Sequence, residues 1–147
     1  MSDTDSKPED GYPDQPRVAV GAIVFKDDKV LLVRRGKAPS EDVWAIPGGK
    51  VRLGESMTRA AEREIKEETG ITIRARDPVF TFDHIEYDEM NRIRFHYVIV
   101  DFIADYVTGK PTPGDDALEA RWVSSGELNS LKVSKKTVEV LNQLFKF

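Results

Sequence analysis

Gly49–Ile71 reads GKVRLGESMTRAAEREIKEETGI. The segment from Ser56 to Thr69 holds Ala, Glu, Arg, Lys and Met and stops at Gly70, so it predicts a helix with a glycine just past its end. Met57, Ala61 and Ile65 fall at i, i+4 and i+8 and give one apolar stripe for a core. Glu64, Glu67 and Glu68 stand at i, i+3 and i+4, on a single helix face. Like charges at that spacing cost about 0.2–0.5 kcal/mol per pair. Glu67 and Glu68 also occupy the last turn, where the helix dipole disfavours anions. Two local rules are thus broken at one place, as at functional sites. A hard divalent cation bound by these carboxylates would remove the penalty; a solvated acidic face is the alternative that the helix alone leaves open.

Working outward, Arg17–Phe25 is rich in β-formers, Lys26-Asp27-Asp28 reads as a turn and Lys29–Arg34 as a second strand. Gly36–Asp42 reads as loop, Val43–Ile46 as a short apolar piece stopped by Pro47-Gly48-Gly49, and Val51–Leu53 as another short strand. After the helix, Ile71–Arg76, Val79–Tyr87, Ile93–Tyr106 and Glu119–Val123 are predicted strands, and Val107–Leu118 a loop. Ser134–Phe147 predicts an amphipathic helix with Val138, Leu141, Leu144 and Phe145 on its apolar face. This irregular mixture favours a fold of the α+β type, a mixed β-sheet with flanking helices, over a parallel doubly wound α/β sheet. Residues 1–16 are polar, with little to bury, and are expected to form a disordered tail ahead of one domain over 17–147.

Composition narrows the chemistry. The 147 residues contain no cysteine, which excludes disulfides, thiolate metal sites and thiol nucleophiles. A net charge of −4 argues against broad nucleic-acid or membrane-surface binding. No apolar run is long enough for a membrane-spanning helix and the acidic N-terminus does not resemble a signal peptide, so a cytoplasmic location is expected.

From Gly49, five residues lead to Glu55 and seven more to Arg63-Glu64-Ile65; Glu67-Glu68 and Gly70-Ile71 follow, each after one intervening residue. This spacing resembles the Nudix box without a departure. Its seven fixed identities match by chance on the order of 10⁻⁸ per window at average amino-acid usage. GAIVF, KVLLVRR, VWAIPGGKV and EARWV also resemble the family, so the likeness runs from about Arg17 to Val123. It implies a Nudix fold, with a mixed sheet sandwiched between helices, and hydrolysis of the pyrophosphate bond of a nucleoside diphosphate derivative with Mg²⁺, or alternatively Mn²⁺. Carried over residue by residue, it makes Glu67 and Glu68 metal ligands, and Glu64 a ligand or base-orienting carboxylate. The Gly48 carbonyl joins them, and Glu55 becomes the partner of Arg63, holding loop to helix.

Arg34, Arg35, Lys37, Lys50 and Arg52 surround the box and are candidate phosphate contacts. Phe25, Trp44, Phe82, Phe95 and Tyr97 are candidate base-stacking groups, each also suited to a core; His84 and His96 are read as structural or surface. For the general base the candidates are Glu119 first, then Asp116 and Asp115 in the preceding loop, with Glu64 remaining. The whole-chain pattern is most similar to prokaryotic ADP-ribose pyrophosphatase-type members, which implies a homodimer. One departure is Glu86, where ADP-ribose-specific members often carry Pro; the adjacent Tyr87 resembles dinucleoside polyphosphate hydrolases. Dinucleoside polyphosphates, nucleoside triphosphates and a non-catalytic nucleotide-binding role stay as alternatives.

Overall fold

The first strand, β1 (Arg17–Lys26), alternates its side chains between two covered faces: Val20, Ala22 and Val24 point one way, Gly21 and Ile23 the other. At its end Asp27 and Asp28 both adopt positive φ, the conformation of a tight two-residue hairpin, and lead into β2 (Lys29–Arg35). The computed structural model describes residues 11–147. The remaining elements are β3 (Trp44–Ala45), β4 (Gly48–Lys50), α1 (Met57–Thr69), β5 (Thr72–Tyr87), β6 (Ile93–Thr108), β7 (Ala117–Ser124), a 3₁₀ turn (Gly126–Asn129) and α2 (Lys135–Phe145).

The sheet is mixed. β1 runs parallel to β6 from Arg17↔Tyr97 to Val24↔Ala104, and antiparallel to β4 with Gly21 opposite Gly48. β5 pairs antiparallel with β6. β2 pairs antiparallel with β3 and β7 and meets β1 only at the hairpin. α1 covers one face, where Ala60, Ala61 and Ile65 pack on Val20, Ala22, Val24 and Phe102. α2 covers the other, where Val140 and Leu141 pack on Ile23, Val30, Leu32, Trp44 and Val123. Fully burying a side chain such as Ile65 or Leu141 stabilises by about 1.5–3 kcal/mol. The two covered faces are the expected sheet between helices. Among the described residues no helix is long and apolar enough to cross a membrane.

Several local expectations are corrected. The short strand near the box lies on Gly48–Lys50 rather than Val51–Leu53. The glycines can lie flat against β1, since a Cβ on Gly48 would stand 2.0 Å from the Val20 carbonyl oxygen, whereas Arg52–Glu55 closes a turn. Ile71–Arg76 and Val79–Tyr87 are one strand; Pro78 cannot donate to the ladder, so the register shifts around it while pairing continues. β7 begins at Ala117, ahead of Glu119, and the 3₁₀ turn was not expected. Met57 and Leu144 are 41% and 45% exposed, and the buried stripes are instead Ala60, Ala61, Ile65 and Thr69 on α1, and Thr137, Val140 and Leu141 on α2. Of the expected tail, 1–10 lie outside the described residues. Tyr12 is not free: its hydroxyl donates to Asp88 Oδ2 (2.6 Å) and Arg92 lies 4.4 Å over its ring.

Candidate active site

α1 begins at Ser56, whose hydroxyl accepts from the Arg59 N–H (3.3 Å), and ends at Gly70 in the left-handed conformation with its N–H on Lys66 O. Arg63 sits on the helix face turned to the preceding loop and is 17% exposed in its side chain. It donates to both carboxylate oxygens of Glu55 (2.7 and 2.9 Å), to Glu64 and Glu67 (3.1 Å each) and to the Lys50 carbonyl (3.0 Å). The Arg63 guanidinium holds the Glu55 carboxyl down at about 2. The expected Glu55–Arg63 link is therefore present, and the same guanidinium offsets charge among the helix carboxylates.

Glu64, Glu67 and Asp115 each bring a carboxylate oxygen within 4.8 Å of the others. Glu64 packs so tightly on β4 that a Cβ at Gly49 would stand 2.3 Å from its carboxyl carbon. Asp115 reaches the group because the loop before β7 is tied to the end of α1. The Thr112 and Gly114 N–H groups donate to the Thr69 and Glu68 carbonyls (2.8 and 2.9 Å), which the helix itself leaves unpaired. Glu68 lies deeper and accepts from the Gly48 N–H at 3.0 Å. Burial pushes its carboxyl up to about 7 and raises Glu64 as well. Three converging carboxylates with a fourth beside them form an all-oxygen donor set that fits a hard cation such as Mg²⁺ or Mn²⁺.

The cluster opens into a cleft of about 710 Å³. Arg35, Lys37, Lys50 and Arg52 line it, as do Gly48, Phe82, His84, Tyr97 and Asp101, and Lys135 and Lys136 from the start of α2. Arg34 is not brought to it: its guanidinium pairs with Asp42 and Glu119 (2.7 Å each). Glu119, the first choice for a base, is thereby also held away from the cleft, because its position on β7 faces Arg34 on β2. Asp116 lines the cleft but is paired with Lys37 at 2.7 Å. Of the aromatic candidates, Phe82 and Tyr97 line the cleft, Phe95 lies against Tyr97, and Trp44 and Phe25 are core groups.

Sequence reasoning missed Lys135 and Lys136 at the start of α2, and two further cleft residues. His84 was read as structural or surface, yet it lines the cleft with a buried Nε2 that has no hydrogen-bond partner. Asp101 is 5% exposed, and burial pushes its carboxyl up to about 7. A signal for it existed: it is the lone charge in the apolar strand run YVIVDFIA, at 97–104.

Comparison with known proteins agrees with this fold. The NUDIX domain family profile matches residues 15–144. An ADP-ribose pyrophosphatase of Methanocaldococcus jannaschii is 37% identical over 116 residues, 79% of this chain and 66% of the relative. An NAD-capped RNA hydrolase NudC of Pseudomonas aeruginosa is 29% identical over 94% of this chain and 48% of its own length. The chain thus spans just under two thirds of the first relative and about half of the second. The crystal structure of a MutT NUDIX hydrolase from Burkholderia pseudomallei superposes with a TM-score of 0.69 at 30% identity, covering 89% of this chain and 99% of that one.

Proposed function

Because the chain belongs to the Nudix hydrolase family, we propose that it is a divalent-metal-dependent pyrophosphohydrolase that cleaves ADP-ribose to AMP and ribose 5-phosphate. The observation that carries this reading is the convergence of Glu64, Glu67 and Asp115 beside half-buried Glu68, at the mouth of a cleft lined by Arg35, Lys37, Lys50 and Arg52. The likeness to an ADP-ribose pyrophosphatase supports the choice of substrate.

Glu64, Glu67 and Asp115 would hold the cation, with Glu68 beside them and the Gly48 carbonyl as a further oxygen. When bound, the ion neutralises the diphosphate and acidifies the attacking water. Arg35, Lys50 and Arg52 orient the phosphate oxygens, Arg through paired N–H groups. Arg63 fixes Glu64 and Glu67 in place through the hydrogen bonds described. Water attacks one phosphorus, its proton passes to a cluster carboxylate, and the bridging oxygen leaves with the other phosphate. Glu119 pairs with Arg34 away from the cleft, which speaks against it as the acceptor of that proton. The cleft and the net charge of −4 suit a small nucleotide better than a nucleic-acid chain.

The test is phosphate or AMP release from ADP-ribose, a dinucleoside polyphosphate and nucleoside triphosphates, with Mg²⁺, with Mn²⁺ and with chelator. Metal-dependent cleavage with ADP-ribose preferred is expected. Binding without turnover of any of these would instead assign a non-catalytic nucleotide-binding module.

A further inference from the structure

We propose that Asp101 is a specificity-determining residue whose carboxyl group pairs with a sugar hydroxyl of the substrate. The proposal rests on the reading of the cleft as a nucleotide site. Asp101 lies on β6 with Gly21 of β1 on one side and Phe80 of β5 on the other. The residue is 5% exposed and lines the cleft, and among the described residues its carboxyl has no hydrogen-bond partner. Buried carboxyls are ordinarily paired, so this one is left for a ligand. Room has been made for it: a Cβ on Gly21 would stand 2.4 Å from Asp101 Oδ1.

Position and charge select the ligand group. Asp101 shares a register row with Gly21 and Gly48, and the Gly48 N–H is bound to Glu68, so the carboxyl lies at the catalytic end of the cleft floor. Tyr97 and His84 lie four residues along, about 13 Å away at the rise of an extended strand. The group that meets Asp101 is therefore next to the diphosphate, and the planar base belongs farther out, against Phe82 and Tyr97. A phosphate is disfavoured beside the carboxylate, and the cleft offers basic side chains for it elsewhere, Arg35, Arg52, Lys135 and Lys136 among them. A hydroxyl both donates and accepts, so it can pair with the carboxylate and also with the O–H of the protonated carboxyl, which an ammonium or exocyclic amino group leaves unpaired.

The experiment is a cycle between residue and substrate. Parent, Asp101→Ala and Asp101→Asn are assayed with ADP-ribose, with analogues lacking single ribose hydroxyls and with the hypoxanthine analogue. Binding of the same compounds is measured by calorimetry in chelator. Asp101→Ala should lose roughly 10–100-fold in kcat/KM and affinity on ADP-ribose, mostly through KM. It should lose nothing further when the contacted hydroxyl is removed, and Asp101→Asn should recover most of the loss. Gly21→Ala, which displaces the carboxyl, should give the same selective pattern, and it carries the test if Asp101→Ala does not fold. An equal loss on every analogue, a fall in kcat alone, coupling only to the hypoxanthine change, or no loss at all would each overturn the proposal. If the parent leaves ADP-ribose intact, the substrate reading fails separately; ATP and dATP then test the same coupling.

Discussion

Arg63 commits its guanidinium to protein groups: Glu55, Glu64, Glu67 and the Lys50 carbonyl. Lysine has the charge but not the planar fork, so Arg63→Lys should lower kcat by roughly 10–100-fold while metal titration shows weaker binding. Glu68→Gln keeps shape and the Gly48 hydrogen bond but removes charge; a loss of about 10²–10⁴-fold in kcat with an unchanged far-UV spectrum is expected. Equal turnover at matched metal would remove Glu68 from the site. Asp101 yields a pH prediction. Its folded value of about 7 lies above the unfolded value of roughly 3.9, so its burial is tolerated at low pH and stability is lost as pH rises through that window. Asparagine does not titrate. In chelator, the Tm of Asp101→Asn minus that of the parent should grow from pH 4 to pH 7 and level off above. The rise should be on the order of 10 °C. A difference independent of pH would mean the carboxyl is not buried as described.

At the scale of elements, the site depends on how the loop before β7 is fastened to α1. The last carbonyls of the helix accept from Thr112 and Gly114, and this delivers Asp115 to the carboxylates of the preceding turns. Gly114 is packed so closely that a Cβ would stand 2.1 Å from the Glu67 carbonyl oxygen. Gly114→Ala should therefore push the loop away, cutting metal affinity and kcat at least as strongly as Asp115→Asn, with a small change in Tm. Ser56→Ala, at the other end of the helix, loses the cap and should cost about 1 kcal/mol in denaturant unfolding with little effect on kcat. If the two variants exchanged these effects, the loop anchor would not be the device that completes the cluster.

For the whole molecule, Ile85, Tyr87, Met90 and Ile93 are exposed along the β5–β6 hairpin, an apolar surface that suits contact with a second copy. We expect a homodimer by light scattering at micromolar concentration, converted to monomer by Ile85→Glu; a parent that is already monomeric would sink this expectation. The same hairpin carries Asp88, which receives the Tyr12 hydroxyl. A chain starting at Arg17 should therefore keep its turnover but unfold at a lower denaturant concentration, because that hydrogen bond is lost.

The carboxylate helix and its stop at Gly70 were legible from residue order, because α-helical geometry converts spacing directly into a shared face; the Glu55–Arg63 pair was implied by the resemblance to the Nudix box, and the Ser56 cap was not read. The β-rich stretches were legible as strands for the same local reason, and a mixed sheet between helices followed from their order. What lies close in space but far in sequence was not legible. Glu119 and Asp115 are four residues apart, yet cross-strand pairing sends one to Arg34 while helix-end hydrogen bonds bring the other to Glu64. Asp101 and Gly21 are separated by 80 positions, and only the parallel pairing of β1 with β6 makes a glycine the space in which a buried carboxyl can face the cleft.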